Sequence, residues 1–279
     1  MDISLRGVTK TFTGRGGKHT ALDAVDLEVP SGSFVCLLGP SGCGKTTLLN
    51  LIAGFERPDT GEVEVGGKPV VGPGTDRVVM FQDPALFPWL SVQENVAFPL
   101  ERRGVAQEEA RERVDEALRV VHLYKFKRAQ PHELSGGMRA RAAIARALVM
   151  DPKVMLMHEP FAALDAQTRE LLQQEVERVW QRTGATMVFV THDNREAVRL
   201  ATSVVVMGTR PGRVKLVLDV ESDLPRPRDG YDRNLNLLVT RVHRELQAEV
   251  AKIAQEESDE RPAPSPPKRK DEPDFGRNI

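Results

Sequence analysis

Apolar and polar positions along the chain predict strands interleaved with helices. Residues 3–8 and 21–29 alternate apolar and polar side chains, which is typical of half-buried strands. Continuous apolar runs at 33–38, 153–157 and 185–190 instead predict strands that are buried on both faces. Four more short runs predict strands at 61–65, 77–81, 203–207 and 213–218.

Helical spacing dominates between residues 91 and 150 and returns later in the chain. Apolar side chains recur every three or four positions in 107–121 and 135–150, with charged residues between them. A long helix is also predicted at 166–183, between two of the buried strands. Buried strands that alternate with helices predict an α/β fold, in which helices cover both faces of a mostly parallel core sheet.

The chain changes character after Pro225. Residues 225–255 are predicted to form a C-terminal helical extension, with an amphipathic helix at 234–255. The last segment, 256–279, holds five prolines and twelve charged side chains. Such a segment buries too little apolar surface to offset the entropy of ordering, so it is predicted to be a disordered tail.

Composition narrows the class of protein. The 279 residues include 39 Lys and Arg against 40 Asp and Glu, and this balance argues against a nucleic-acid partner. Two cysteines, Cys36 and Cys43, are too few for a disulfide framework and favour a reducing compartment. No apolar run reaches the roughly 20 residues that span a bilayer, and the first residues lack a signal-peptide core. A soluble intracellular protein is therefore expected.

A glycine-rich pattern typical of phosphate binding follows the buried strand 33–38. It reads Gly39-Pro40-Ser41-Gly42-Cys43-Gly44-Lys45-Thr46-Thr47 and enters an apolar helix that is predicted to end at Gly54. Glycines let backbone N–H groups converge on phosphate oxygens, and the helix N-terminus adds a favourable dipole. Lys45 is expected to reach the β- and γ-phosphates, and the Thr46 hydroxyl to bind Mg²⁺. This P-loop predicts nucleotide binding but does not separate kinases, GTPases and ATPases.

A second motif separates these classes. The helix at 135–150 is opened by Leu134-Ser135-Gly136-Gly137-Met138. In this order after a P-loop, the motif resembles the signature of the ATP-binding cassette (ABC) ATPases. The resemblance covers about residues 3–220. It implies a P-loop cassette over 1–224, with an antiparallel β subdomain and an inserted helical subdomain at about 91–150. It also implies a dimer in which the signature helix of one cassette caps the γ-phosphate of ATP bound by the other.

The resemblance assigns roles to further positions. Gln82 matches the glutamine that senses Mg²⁺ and the attacking water, Glu159 the general base, and His192 the switch histidine that contacts the γ-phosphate. Ala163-Leu164-Asp165 matches the loop that crosses the dimer interface, called the D-loop. Phe12 matches the aromatic residue that stacks on adenine, with core packing as the alternative interpretation.

One position departs from the family pattern in a way that bears on catalysis. The family strand normally ends in Asp-Glu, whereas this one ends in His158-Glu159. The missing aspartate holds Mg²⁺, usually through a coordinated water, and Mg²⁺ is a hard cation that prefers oxygen ligands. Neutral imidazole brings no negative charge, and protonated imidazole repels the ion. We therefore expect ATP binding with slow hydrolysis. The alternative is a degenerate pseudo-ATPase or regulatory subunit that only binds ATP.

Smaller departures point the same way. Ala140 and Ala162 stand where many close relatives have glutamine and glycine. Together with His158 they favour a partly degenerate subunit more than any one of them would.

Three segments resemble the bacterial nitrate/sulfonate/taurine importer ATPases, namely 74–96, 209–220 and 223–229. One cassette without a membrane span implies that the permease is a separate polypeptide, which receives solute from a solute-binding protein. The resemblance thus implies a homodimer of cassettes docked on the cytoplasmic, inner face of the bacterial cell membrane. Residues 82–89 are expected to face the permease or to form a packed loop. A non-transport ABC ATPase is less favoured, because such proteins usually carry two cassettes or a long coiled coil.

Overall fold

The computed structural model describes residues 1–14, 17–209, 211–228 and 233–259. The strands in these ranges are β1 (Ile3–Gly14), β2 (Gly17–Val29), β3 (Phe34–Leu38), β4 (Thr60–Val65), β5 (Lys68–Pro69), β6 (Arg77–Met80), β7 (Val154–His158), β8 (Thr186–Val190), β9 (Ser203–Gly208) and β10 (Arg213–Asp219). The helices are α1 (Lys45–Ala53), α2 (Val92–Arg102), α3 (Gln107–Val120), α4 (Gly136–Leu148), α5 (Ala166–Thr183), α6 (Asn194–Leu200), α7 (Val220–Asp223) and α8 (Arg233–Asp259).

The strands form a mostly parallel core sheet and a separate antiparallel sheet. The core sheet has the order β10-β9-β3-β8-β7-β6, in which β10 pairs with β9 antiparallel and the other four pairings are parallel. The second sheet has the order β2-β1-β4-β5 and is antiparallel throughout. Because β8 lies between β3 and β7, loops that are far apart in the sequence emerge side by side at the carboxyl edge of the core sheet.

Helices cover both faces of the core sheet, as the continuous apolar runs predict. In β3, Phe34, Cys36 and Leu38 belong to one hydrophobic cluster, whereas Val35 and Leu37 belong to the other. Successive side chains in a strand point to opposite faces, so every position of such a strand must be apolar. The apolar side of α1 packs in the same cluster as Val35 and Leu37, together with the antiparallel sheet.

The first two strands are longer than the alternating pattern predicts. β1 extends to Gly14 and β2 begins at Gly17, whereas the pattern predicts 3–8 and 21–29. The additional residues pair across the hairpin up to Gly14 opposite Gly17. Their side chains are mostly exposed, so hydrogen bonding rather than burial holds them in the sheet and no alternation marks them.

Helices α2, α3 and α4 occupy the segment 91–150 that is predicted to be helical. Ser91 starts α2 with a capping box, in which its hydroxyl accepts from the Glu94 N–H and its own N–H donates to the Glu94 carboxylate at 2.7 Å. Apolar side chains of all three helices join the cluster that also holds Met155 and Met157 of β7. This packing attaches the helical segment to the core sheet.

The C-terminal helix lies against α6 and β9. Lys215 of β10 anchors it, because its ammonium donates to the Glu249 carboxylate at 2.7 Å. The helix continues to Asp259, so residues 256–259 are helical rather than part of the predicted tail, which fits the good helix propensity of glutamate. The rest of that tail, 260–279, lies outside the described residues. Among the described helices, none combines the length and apolar character that crossing a bilayer requires.

Candidate functional site

The P-loop connects β3 to α1 in a conformation that depends on its glycines. Gly42 and Gly44 have φ angles of 80° and 90°, a region that side chains disfavour. A Cβ atom at Gly44 would lie only 2.5 Å from Leu22 Cδ2, and one at Gly39 only 2.5 Å from Cys43 Sγ. Gly44 is also the N-cap residue of α1, and it has no side chain that could accept a hydrogen bond there. The first N–H groups of the helix are therefore available to an anion.

Lys45 lies across this loop. Its ammonium donates to the carbonyl oxygens of Gly39 at 2.7 Å and Pro40 at 2.9 Å. The Cys43 side chain is buried, whereas Ser41 and Thr46 are exposed. The converging N–H groups and the ammonium form a cradle that fits the phosphates of a nucleotide.

Glu159 leaves the end of β7 with unusual backbone geometry. Its φ angle is 49°, which is uncommon for a residue other than glycine. Its N–H donates to the Val190 carbonyl at 2.9 Å, which ties the turn to the end of the neighbouring strand β8. Strained conformations of this kind cluster at functional sites, so this outlier supports a functional role for Glu159.

The three predicted catalytic side chains converge at this turn. One carboxylate oxygen of Glu159, Oε2, lies 3.5 Å from Gln82 Nε2 and 3.5 Å from His192 Nδ1. Gln82 follows β6, and His192 follows β8. The parallel strand order therefore brings together residues that are 33 to 110 positions apart in the sequence (192 − 159 and 192 − 82).

His158 contacts the P-loop helix directly. Its Nε2 lies 3.0 Å from the Thr46 hydroxyl oxygen. Burial lowers the pKa of His158 below its ordinary value of 6.5, the nearby Glu159 carboxylate opposes this, and Lys45 lowers the pKa further. The imidazole is therefore neutral near pH 7. If Nδ1 carries the proton, Nε2 can accept the hydrogen of the Thr46 hydroxyl.

The signature motif forms a separate feature. The Ser135 hydroxyl accepts from the Met138 N–H at 3.2 Å and caps α4, so Gly136 and Gly137 form its first turn. Leu134 is buried beside this cap. The described hydrogen bonds of Ser135 stay within residues 134–139 and do not link it to the P-loop.

The predicted D-loop packs against the signature motif. Ala163 is exposed, whereas Leu164 is buried. A Cβ atom at Gly137 would lie 3.2 Å from Leu164 Cδ2, so the leucine rests on that glycine. Asp165 caps α5 by accepting from the Thr168 N–H at 2.9 Å, and these hydrogen bonds lower the pKa of its carboxyl.

Phe12 lies near the outer end of the β1–β2 hairpin. It pairs opposite His19, its ring is 39% exposed, and the Lys10 ammonium lies 5.4 Å from the ring centroid. This exposure argues against the core-packing interpretation. The same hairpin reaches the P-loop through Leu22, but no described contact joins Phe12 itself to the P-loop. Its stacking on adenine stays a prediction.

A buried polar network beside His192 is not predicted by the sequence analysis. The Thr191 hydroxyl donates to one oxygen of Glu196, and Gln173 Nε2 donates to the other at 2.8 Å. Burial raises the pKa of Glu196, and these two hydrogen bonds oppose the shift. The spacing of Asp193 and Glu196 resembles an exposed helix cap, so the sequence hides the inward direction of the glutamate.

Comparison with known proteins defines the class. Residues 22–162 match the ABC transporter family, and the chain belongs to it. An uncharacterised ABC transporter ATP-binding protein of Methanocaldococcus jannaschii is 48% identical over 229 residues, which cover 82% of this chain and 85% of that protein. The chain is also 49% identical to a taurine import ATP-binding protein of Burkholderia pseudomallei, with 74% and 80% covered. It is 42% identical to a nitrate import ATP-binding protein of Synechocystis, with 82% and 87% covered.

Solved structures confirm the predicted cassette fold. A dimeric ATP-binding cassette in a post-hydrolysis state, bound to ADP and Pi, matches with a TM-score of 0.71 at 33% identity. The match covers 78% of this chain and 98% of that one. The family and fold confirm the predictions of an ABC ATPase that couples to transport and of a mostly parallel core sheet.

Proposed function

We propose that this chain is the ATP-binding and ATP-hydrolysing subunit of an importer for a small solute of the nitrate, sulfonate or taurine type. The convergence of Glu159, Gln82 and His192 next to the P-loop helix carries the catalytic part of the proposal. The printed names of the taurine and nitrate import relatives support the solute class.

The P-loop holds the phosphates of ATP. N–H groups at the start of α1 bind phosphate oxygens, and the helix dipole favours their negative charge. Lys45 exchanges its bonds to the Gly39 and Pro40 carbonyls for phosphate oxygens, so the ammonium stays paired. Phe12 stacks on the adenine ring.

Glu159 acts as the general base. Its carboxylate accepts the proton of the attacking water, while Gln82 and His192 orient that water and the γ-phosphate around it. A positioned base of this kind contributes about 10²–10⁴-fold to the rate. The tie between Glu159 N–H and Val190 holds the carboxylate in place during the reaction.

A second copy of the cassette completes the site. The N-terminus of α4, capped by Ser135, supplies N–H groups to the γ-phosphate bound by the partner cassette, and residues 163–165 cross the interface. The dimeric state of the matched solved cassettes supports this arrangement. A single chain therefore contributes two half-sites and turns over slowly alone.

Mg²⁺ is the ion expected with ATP, and the donor set fits it only in part. Thr46 and Gln82 offer oxygen ligands, which a hard cation prefers. His158 offers a neutral nitrogen at the position where the family has a carboxylate, and this does not fit Mg²⁺. In the described part of the chain, no group of three or more His, Cys, Asp or Glu side chains converges to hold a metal.

The lost carboxylate weakens hydrolysis more than nucleotide binding. The P-loop cradle does not involve His158, whereas loss of a charged positioning group typically costs on the order of 10²–10³ in rate.

The second candidate is a pseudo-ATPase whose ATP binding only builds the dimer or regulates a partner. The contact between His158 and Thr46 favours it, because it places an uncharged group beside the predicted metal ligand.

The remaining parts of the importer are other polypeptides. A membrane permease binds the cassette near residues 82–89, where Trp89 is 72% exposed, and a solute-binding protein delivers solute to that permease. The cassette then lies on the cytoplasmic face of the cell membrane.

Steady-state ATPase activity of the complex of cassette and permease tests the proposal. We expect a slow rate for the natural chain and an increase of about 10²-fold for His158→Asp. A fast rate that His158→Asp leaves unchanged would overturn the claim of weakened hydrolysis. ATP binding without turnover in both proteins would support the pseudo-ATPase. Co-purification with ribosomes or DNA, and not with a membrane permease, would exclude transport.

A further inference from the structure

The contact between His158 and Thr46 has the geometry of two neighbouring metal ligands. The Nε2 and Oγ1 atoms are 3.0 Å apart. In an octahedral site with bonds of about 2.1 Å, adjacent ligand atoms are separated by about 3.0 Å. The pair therefore spans one edge of a possible coordination octahedron without any movement of the backbone.

The surroundings keep the nitrogen available as a ligand. His158 ends the buried strand β7 and is itself half-buried, so the strand fixes the direction of its side chain. The contact with the Thr46 hydroxyl shows that the ring turns its Nε2 atom toward α1. Thr46 is held in turn by the first turn of α1.

Nitrogen ligands change which ion a site prefers. Carboxylate, hydroxyl and phosphate oxygens suit Mg²⁺, whereas imidazole suits the borderline first-row ions. Affinity for mixed nitrogen and oxygen sites rises from Mn²⁺ through Co²⁺ to Ni²⁺. Replacement of a carboxylate by imidazole therefore lowers the affinity of the site for Mg²⁺ and raises its affinity for the first-row transition-metal ions.

We propose that His158 and Thr46 are specificity-determining residues that select a first-row transition-metal ion, such as Mn²⁺ or Co²⁺, over Mg²⁺ as the ion that accompanies ATP. His158 Nε2 is a direct ligand of that ion. The Thr46 hydroxyl and the phosphate oxygens supply neighbouring positions. This inference rests on the proposed function, because it requires ATP in the P-loop.

Pulsed electron paramagnetic resonance on the full chain tests the ligand directly. The probe is Mn²⁺ with the β,γ-methylene analogue of ATP, which has no nitrogen in its phosphate bridge. We expect a ¹⁴N coupling that changes to the ¹⁵N pattern when only the histidines carry ¹⁵N. The coupling should persist in His192→Gln and disappear in His158→Asp. Nucleotide binding without histidine coupling, or with coupling that His158→Asp retains, would overturn the proposal.

Nucleotide affinity gives a second readout that does not depend on turnover. Titration of the same analogue with Mn²⁺ or Mg²⁺ present gives a ratio of two dissociation constants for each protein. We expect His158→Asp to shift that ratio toward Mg²⁺ by at least about tenfold. An unchanged ratio would overturn the metal preference. If neither protein binds the analogue with either ion, the proposed function fails, and this inference fails with it.

Discussion

The carboxylate of Glu159 lies 3.5 Å from Nδ1 of His192, although the two residues follow different strands. The neighbouring turns that place them are joined by the hydrogen bond from the Glu159 N–H to the Val190 carbonyl. A change at either side chain therefore acts on one small cluster, which also includes Gln82.

Glu159→Gln should remove the base and keep the shape of this cluster. In the His158→Asp background, where turnover is fast enough to measure, we expect the ATPase rate to fall by about 10²–10⁴-fold. Nucleotide affinity should change little, because the P-loop is intact. Steady-state ATPase and equilibrium nucleotide binding measure the two effects. Glu112→Gln, an exposed change on α3, is the control, and an equal loss there would contradict the role of Glu159.

Two glycines of the P-loop should respond differently to the same substitution. Both Gly42→Ala and Gly44→Ala force a side chain into the left-handed region, which costs about 1–2 kcal/mol. Only at Gly44 does the new Cβ also meet Leu22 Cδ2 at 2.5 Å, which adds roughly 1–3 kcal/mol of overpacking. Urea unfolding of the two variants measures the difference, and equal losses would contradict the close approach.

Glu196 should make stability depend on pH. Its pKa in the folded chain lies above the ordinary 4.5, so the folded state binds the proton more tightly than the unfolded state. The stabilisation is complete below pH 4.5 and is lost as the pH rises through the raised pKa. Glu196→Gln should therefore gain stability relative to the natural chain as the pH rises above 4.5. Denaturant unfolding at several pH values gives the free energy of unfolding of each variant, and Glu101→Gln is the exposed control. If Glu196→Gln and the natural chain show the same pH dependence of this free energy, the effect of burial is contradicted.

Arg228 should be costly to remove because its guanidinium is buried and fully paired. Its buried guanidinium donates to the Leu224 carbonyl at 2.8 Å and the Val198 carbonyl at 3.1 Å, and it pairs with Glu221 at 2.7 Å. Burial and the nearby Arg226 lower its pKa to about 10, so it stays charged at pH 7.

Arg228→Met should lower the free energy of unfolding by at least about 2 kcal/mol, because it leaves the buried Leu224 and Val198 carbonyls without this donor and removes one of the two arginines that pair with Glu221. Arg213→Met removes an arginine whose side chain is 64% exposed in its pair with Asp23, and it should cost no more than about 1 kcal/mol. If the two variants lose similar amounts of the free energy of unfolding, the distinction between the buried and the exposed arginine is contradicted.

The sequence predicts some parts of this fold well for a physical reason. β3, β7 and β8 are buried on both faces, so nearly every residue in them is apolar and the run is visible in the sequence. The outer half of the β1–β2 hairpin is exposed and carries no such mark, so its extent is missed.

The candidate site likewise has a part that the sequence predicts and a part that it does not. The P-loop and signature motifs are local, so their residues can be recognised from spacing alone. The contact between Thr46 and His158 joins positions 112 apart, and it depends on β8 lying between β3 and β7. Nothing in one sequence fixes that strand order. Glu196 is missed because a glutamate near a helix start has the same spacing whether it caps the helix or turns inward.

The left-handed backbone at Glu159 implies that thermal stability and catalytic activity favour different residues at this position. A glycine there would adopt the φ of 49° without the penalty of about 1–2 kcal/mol that a side chain incurs. Selection for thermal resistance alone would thus favour exchange of this glutamate for glycine, and the gain would remove the proton acceptor. Screens of this chain for heat tolerance should therefore be paired with an activity screen, because one of the changes that relieve backbone strain lies at the base itself.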